Sequence, residues 1–218
     1  MDPCSLLEAV RRHRIIVALR GLTPEQFVPT AKALREGGIR MLEVTFDQAS
    51  PTAADDTFAA ISALRAELKD EVLVGAGTVV TVEQLRAAAE AGAQYMLSPN
   101  LDLEVMAQAQ TLGLPAIPGA MTPSEIAAAW KAGAALVKLF PMGSLGPGYV
   151  KALTAPLNHI PLLGMGGVNA ENLRDCLALP SMAGVGVGAA IAKLDLIRAG
   201  DWAGLTALAR TYTDQLAV

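Results

Sequence analysis

The sequence predicts a single (β/α)8 barrel with a short helix ahead of its first strand, and three observations carry that expectation. Short apolar runs alternate with longer Ala-rich segments of helical period along the whole chain. Small-residue turns containing glycine recur where a helix gives way to a strand, and Thr-led capping signals recur where a strand gives way to a helix. The length of 218 residues suits one such barrel, for which roughly 200 to 250 residues is usual. With no linker, low-complexity tract or shift in composition, residues 1–218 read as one domain.

Residues 1–13 read as a short amphipathic helix. The first strand is Ile15-Ile16-Val17-Ala18-Leu19, followed by a helix from Pro24 to about Glu36. Further strands are expected near 39–45, 72–76, 94–98, 115–118, 135–140, 160–164 and 183–187, each followed by a helix-like segment, which makes eight. The segment from Trp202 to Leu216 is the eighth helix or an additional terminal one. Gly37-Gly38-Ile39, Ala91-Gly92-Ala93, Ala132-Gly133-Ala134 and Ala183-Gly184-Val185 read as turns that close a helix and open a strand, because glycine takes the left-handed cap that other residues adopt at a cost. Thr23-Pro24-Glu25-Gln26, Thr81-Val82-Glu83-Gln84 and Thr122-Pro123-Ser124-Glu125 each offer an N-cap hydroxyl with Glu or Gln three residues on. Two of them put proline at the first helical position, where its missing N–H costs nothing. Strands separated by helices lie parallel, and eight in regular succession favour closure over an open sheet.

Composition excludes several function classes. No stretch supplies the ~20 uninterrupted apolar residues of a membrane span, and the N-terminus lacks a basic region followed by an apolar one, so neither a membrane partner nor export is expected. A net charge of −4 with no basic stripe interleaved with aromatics leaves nucleic acid without its electrostatic footprint. Cys4 and Cys176 form neither a CxxC pair nor a His/Cys cluster. No metal site, cofactor or disulfide framework is expected, and the compartment reads as the cytoplasm.

In such a barrel the chemistry sits at the C-terminal mouth, so polar residues that end a strand are the informative ones. They are Arg20, Glu43, Thr45, Thr78, Ser98, Asn100, Lys138, the pair Gly166-Gly167, and Gly188. Lys138 interrupts an otherwise apolar strand, Ala134-Ala135-Leu136-Val137-Lys138-Leu139-Phe140-Pro141. Desolvation there disfavours the ammonium form and leaves free amine to attack a carbonyl; a lysine that snorkels to solvent or pairs with a carboxylate is the structural alternative. Glu43, in Met41-Leu42-Glu43-Val44-Thr45, could shuttle protons beside such a lysine or serve simply as its counter-ion. Arg20 could hold a substrate carboxylate through two parallel hydrogen bonds or form a surface salt bridge. Gly75-Ala76-Gly77-Thr78 and Gly164-Met165-Gly166-Gly167 could let backbone approach a ligand, the latter as a phosphate cradle, or serve turn geometry alone. His13, His159, Trp130 and Trp202 fall at no strand mouth and read as structural, and without a histidine there Ser98 lacks a triad base.

Taken in order, these residues resemble the 2-keto-3-deoxy-6-phosphogluconate (KDPG) and 2-keto-3-deoxy-6-phosphogalactonate aldolases, a family that includes 4-hydroxy-2-oxoglutarate (KHG) aldolases. The shared motifs are Ala18-Leu19-Arg20-Gly21, Leu42-Glu43-Val44-Thr45, Gly75-Ala76-Gly77-Thr78, Ser98-Pro99-Asn100, Pro118-Gly119, Val137-Lys138-Leu139-Phe140-Pro141 and Gly166-Gly167-Val168. The resemblance implies a metal-independent class I lyase that cleaves a 4-hydroxy-2-keto acid to pyruvate and an aldehyde, usually as a homotrimer. It implies Lys138 as the Schiff-base residue, Glu43 as general acid/base, and Arg20 with Thr78 at the pyruvate carboxylate. Thr45, Ser98, Asn100, Pro118, Gly119 and Phe140 would line the pocket, and Gly166, Gly167, Gly188 and Ala189 would cradle the distal phosphate.

Three departures bear on the distal end. Ala189 stands where relatives commonly have serine, Met165 where some have threonine, and Phe46-Asp47-Gln48 where the gluconate-type enzymes often carry arginine. An unphosphorylated substrate such as 4-hydroxy-2-oxoglutarate therefore stays open, as do a phosphosugar isomerase or epimerase using Glu43 as base and a binding protein without turnover.

Overall fold

A computed structural model describes residues 1–216; Ala217 and Val218, the end of the expected domain, lie outside the described residues. Nine strands form one sheet: β1 (Ile15–Leu19), β2 (Met41–Thr45), β3 (Leu73–Gly77), β4 (Met96–Leu97), β5 (Ala116–Ile117), β6 (Gly119–Ala120), β7 (Val137–Leu139), β8 (Leu162–Met165) and β9 (Met182–Val187). Their order is β5-β4-β3-β2-β1-β9-β8-β7-β6, with the paired strands parallel.

The ninth strand arises from Pro118. Proline has no N–H for a ladder, so the stretch expected as one strand near 115–118 becomes two pieces on either side of it. β5 pairs with β4 and β6 with β7. The same segment therefore accepts bonds from both neighbours: Met96 N–H donates to Pro115 O at 3.0 Å, Ala135 N–H to Ala116 O at 3.0 Å, and Lys138 N–H to Pro118 O at 2.9 Å. The barrel closes across this segment, and its eight staves are those expected.

Most strand limits move by one or two residues, β4 shrinking to two. One junction is corrected. Ala183-Gly184-Val185 is no turn but lies inside β9, where the pairing with β8 carries a register irregularity. A Cβ on Gly184 would lie 2.8 Å from both the Arg14 carbonyl oxygen and a Val10 methyl, so the glycine serves close packing. The other three junctions are left-handed at Gly38, Gly92 and Gly133.

Side-chain alternation divides the apolar runs into two cores. Ile15, Val17, Leu19, Leu42, Val44 and Val74 pack outward under the helices, whereas Ile16, Ala18, Met41, Leu97, Ile117 and Leu163 fill the barrel. The helix α1 (Pro3–His13), capped by the Asp2 side chain on Ser5 N–H, joins the inner group through Leu6 and Val10. It therefore plugs the barrel floor.

The ring of helices continues as α2 (Pro24–Glu36), α3 (Ala53–Leu68), α4 (Val82–Glu90), α5 (Leu103–Thr111), α6 (Pro123–Lys131), α7 (Gly146–Thr154), α8 (Leu173–Leu177) and α9 (Leu194–Ala199). The terminal segment, α10 (Trp202–Thr213), is the additional helix. It lies back on α2, with Thr206 Oγ1 donating to Ala33 O at 2.9 Å and Thr213 Oγ1 to Gly37 O at 2.7 Å. Among the described residues no helix is long and apolar enough to cross a membrane.

Truncating a fully buried leucine removes transfer energy and leaves a cavity. Leu6→Ala is expected to lower unfolding free energy by about 2–4 kcal/mol in urea titration; a loss below ~0.5 kcal/mol would show that α1 is not part of the core.

Candidate active site

Two charged side chains point into the barrel, and strand parity puts them there. Glu43 shares an inward face with Met41 on β2, and Lys138 shares one with Leu136 and Phe140 on β7. The register sets Glu43 between Ala18 and Gly75, and Lys138 between Gly119 and Leu163. Glu43 is 2% exposed and Lys138 5%. Among the described residues the ion pairs within 4.0 Å are Lys32–Glu67, Arg35–Glu36 and Arg35–Glu71, so Glu43 and Lys138 form no direct contact pair. They still act on one another through space, since each charge favours the charged form of the other.

Burial disfavours both charges. It raises the Glu43 carboxyl above its usual range, against the opposing pull of Lys138 and Arg20. It lowers the Lys138 amine below its ordinary value of 10.5, where Glu43 opposes the shift and Arg20 adds to it. The Glu43 Oε2 is buried with no hydrogen-bond partner. A carboxylate oxygen left this way is available to a proton, a water or a substrate hydroxyl. The Lys138 Nζ lies 4.8 Å from the Phe140 ring centre, close enough for the ring face to attract whatever cation the amine forms.

Neighbouring side chains account for both glycines of the Gly-Ala-Gly-Thr motif. A Cβ on Gly77 would fall 2.7–2.9 Å from the Glu43 carboxyl atoms, and one on Gly75 would fall 2.4–2.7 Å from the Tyr95 ring. Two glycines thus make room for the acid and for the aromatic floor beneath it. Tyr95, absent from the sequence-derived site, is fully buried and donates its hydroxyl to Leu42 O at 2.7 Å, fixing the peptide that leads into Glu43. An aromatic in an apolar strand gives no signal of this.

At the mouth, Arg20 Nη2 donates to Thr78 Oγ1 at 3.2 Å, joining the two residues expected at a carboxylate. Thr78 has φ +58°, a left-handed conformation that a β-branched residue adopts at a cost of roughly 1–3 kcal/mol. Two other expected pocket hydroxyls are already occupied: Thr45 Oγ1 donates to Leu19 O at 3.0 Å and Ser98 Oγ to Asn100 O at 2.6 Å. Asp47, which the sequence sets against an anionic substrate tail, turns back on its own loop and accepts from Ala49 N–H at 3.0 Å.

The remaining residues fall into two clefts that share Phe140. One, of about 420 Å³, includes Asn100 and Gly119 with Met121 and Glu125; Pro118 is buried below it. The other, of about 380 Å³, is lined by Arg20, Met165, Gly166, Gly167, Gly188 and Ala189, among others. Gly166 and Gly167 have φ +93° and +83°, and their carbonyls are held by Gly143 N–H at 2.8 Å and Asn172 Nδ2 at 2.9 Å. Gly119 sits so close to Pro99 that a Cβ would meet its carbonyl, which locks the two strand ends of the first cleft together. No group of three or more His, Cys, Asp and Glu converges as a metal site among the described residues.

The barrel and this constellation have counterparts among known proteins. The sequence model for "KDPG and KHG aldolase" matches residues 6–208. The 2-dehydro-3-deoxy-phosphogluconate aldolase of Treponema pallidum (strain Nichols) is 39% identical over 207 residues, covering 94% of this chain and 95% of its own. The KHG/KDPG aldolase of Escherichia coli (strain K12) is 39% identical over 191 residues, covering 85% and 84%. Among solved structures, the KDPG aldolase of Legionella pneumophila, with pyruvate captured at low pH as a covalent carbinolamine intermediate, is 30% identical over 97% of this chain and 98% of its own, with a TM-score of 0.86. Sequence and structure agree, and the chain belongs to the KDPG and KHG aldolase family.

Proposed function

We propose that the protein is a class I aldolase whose single barrel domain cleaves a 4-hydroxy-2-keto acid into pyruvate and an aldehyde. The observation that carries the reading is the desolvated Lys138 amine, held one layer below the mouth opposite a Glu43 carboxyl with an unpartnered oxygen. The amine adds to the C2 ketone, and loss of water gives a protonated imine. Glu43, through a water, removes the proton from the C4 hydroxyl; the C3–C4 bond breaks, its electrons move into the imine, and the aldehyde leaves. The enamine takes a proton at C3, and hydrolysis of the imine releases pyruvate and returns the free amine. Arg20 and Thr78 hold the carboxylate so that C2 faces Lys138.

The substrate class comprises 2-keto-3-deoxy-6-phosphogluconate and 6-phosphogalactonate, the phosphate being received by the Gly166, Gly167, Gly188 and Ala189 backbone of the second cleft. One observation favours a second reading. Among the described residues no hydroxyl side chain lines that cleft and Arg20 is its one charged group, a setting that also suits the shorter 4-hydroxy-2-oxoglutarate. The cytoplasm is the compartment that the cysteine usage supports, and a homotrimer is the assembly that the family resemblance supports. Leu103 and Met121, 63% and 41% exposed, are apolar surface that a neighbouring subunit could cover.

Borohydride added with pyruvate is expected to fix a covalent adduct on Lys138, read by peptide mass; an unmodified lysine would remove the mechanism. An isomerase or a silent binding protein would release no pyruvate from any 4-hydroxy-2-keto acid, and a phosphorylated and unphosphorylated panel with coupled pyruvate detection separates the two substrate readings.

Glu43→Gln is expected to cut cleavage by about 10²- to 10⁴-fold while pyruvate still forms the trapped imine. Equal loss of both activities would place Glu43 outside proton transfer.

The two pKa shifts also fix the sign of a stability effect. Between its lowered value and 10.5 the folded state binds fewer protons at Lys138 than the unfolded chain, so stability rises with pH through that window. Between 4.5 and its raised value Glu43 binds more protons when folded, so stability falls with pH there. At neutral pH both charged forms cost stability. The inactive double variant Glu43→Gln/Lys138→Met is expected to match or exceed the parent's unfolding free energy in urea titration, by up to about 4 kcal/mol; a clear loss would show the two charges to be structural.

A further inference from the structure

Thr78 holds its strained conformation because several groups fix it. Its hydroxyl accepts from Arg20, and its carbonyl accepts from Gln48 Nε2 at 2.9 Å. Gln48 is itself held, since its Oε1 accepts from Gln84 Nε2 at 2.9 Å. Gln84 is the third residue of α4, where a capping-box side chain would return to the Thr81 N–H. Its Oε1 instead accepts from Val80 N–H at 2.9 Å, while its own N–H donates to Thr81 Oγ1 at 3.2 Å. The next residue along, Val79, donates to Leu97 O at 3.1 Å, so the peptide after Thr78 is tied to β4. The bonds form one chain: Val80 N–H orients Gln84, Gln84 orients Gln48, and Gln48 holds the Thr78 carbonyl.

We propose that Gln48 and Gln84 are positioning residues for the pyruvate-carboxylate end of the substrate, acting through Thr78. The proposal rests on the reading that Arg20 and Thr78 receive that carboxylate. A left-handed threonine at the end of β3 relaxes once its carbonyl is released, and relaxation withdraws Oγ1 from Arg20. The loss then appears as weaker capture of the keto acid, because neither glutamine touches the bond that breaks. Gln48→Glu is the sharpest variant: it keeps the size of the side chain and the acceptor for Gln84, and removes the N–H that Thr78 O requires.

The experiment is borohydride trapping of pyruvate on the full-length protein, followed as a function of pyruvate concentration, with thermal unfolding measured alongside. Gln48→Ala and Gln48→Glu are each expected to raise the half-saturating pyruvate concentration about fivefold, with the trapping rate at saturation within about twofold of the parent. Gln84→Ala should act in the same direction, and Gln48→Ala/Gln84→Ala should be no worse than Gln48→Ala, because the two act in series. An unchanged half-saturation in Gln48→Glu would overturn the proposal. So would a fall in the saturating rate at constant half-saturation, or additive losses that track a falling Tm. Failure of the parent itself to trap pyruvate would instead remove the aldolase reading on which the proposal stands.

Discussion

The constraint on which the rest of the structure depends is that a barrel interior must hold an amine and a carboxyl without joining them. Water is nearly excluded from both, and each pays for its charge by a shift toward the neutral form. A direct ion pair would recover part of that free energy by attraction, but it would also lock the amine as ammonium and occupy the carboxylate. Separation leaves the Glu43 Oε2 without a partner. Strands on opposite sides of the closed sheet, β2 and β7, achieve it, because rigid neighbours on either side prevent collapse of one side chain onto the other.

Small residues are the means by which so crowded an interior admits two polar chains. Gly77 yields its Cβ volume to the Glu43 carboxyl and Gly75 to Tyr95, while Gly184 admits α1 to the floor. Closure depends on one more concession. Pro118 breaks a strand, yet its carbonyl accepts the Lys138 N–H, so the residue that interrupts the ladder also anchors the peptide of the buried lysine. At the rim the demand differs, since a ligand must enter. There the groups are hydrogen-bonded through Arg20, Thr78, Gln48 and Gln84, and two clefts open on either side of Phe140.

Much of the candidate site was legible because its buried charged residues violate their local pattern. Lys138 and Glu43 stand out as charges inside apolar strands, and the Thr-Pro-x-Glu/Gln signals mark helix starts whatever the tertiary setting. Hydroxyls and glycines were less readable. Thr45 and Ser98 are polar at strand mouths, as a substrate contact would be, but their hydroxyls close hydrogen bonds to nearby carbonyls. Asp47 looked like a repulsive group and is a loop cap. A side chain's residue type restricts what it can bond; its partner is set by chain segments dozens of residues away.

Composition and periodicity alone determined the eight alternating strand–helix units, the buried lysine and carboxylate, and the absence of any long apolar span, because these follow from local chain properties. Only the tertiary structure decided that the fifth stave divides at Pro118, that α1 fills the barrel floor, that Tyr95 underlies Glu43, and that Gln48 reaches Thr78. Each of those facts is a contact between distant segments of chain, and the physical reason is the same in all four. Burial and hydrogen-bond satisfaction are properties of the closed sheet, which exists only once all its staves are in register.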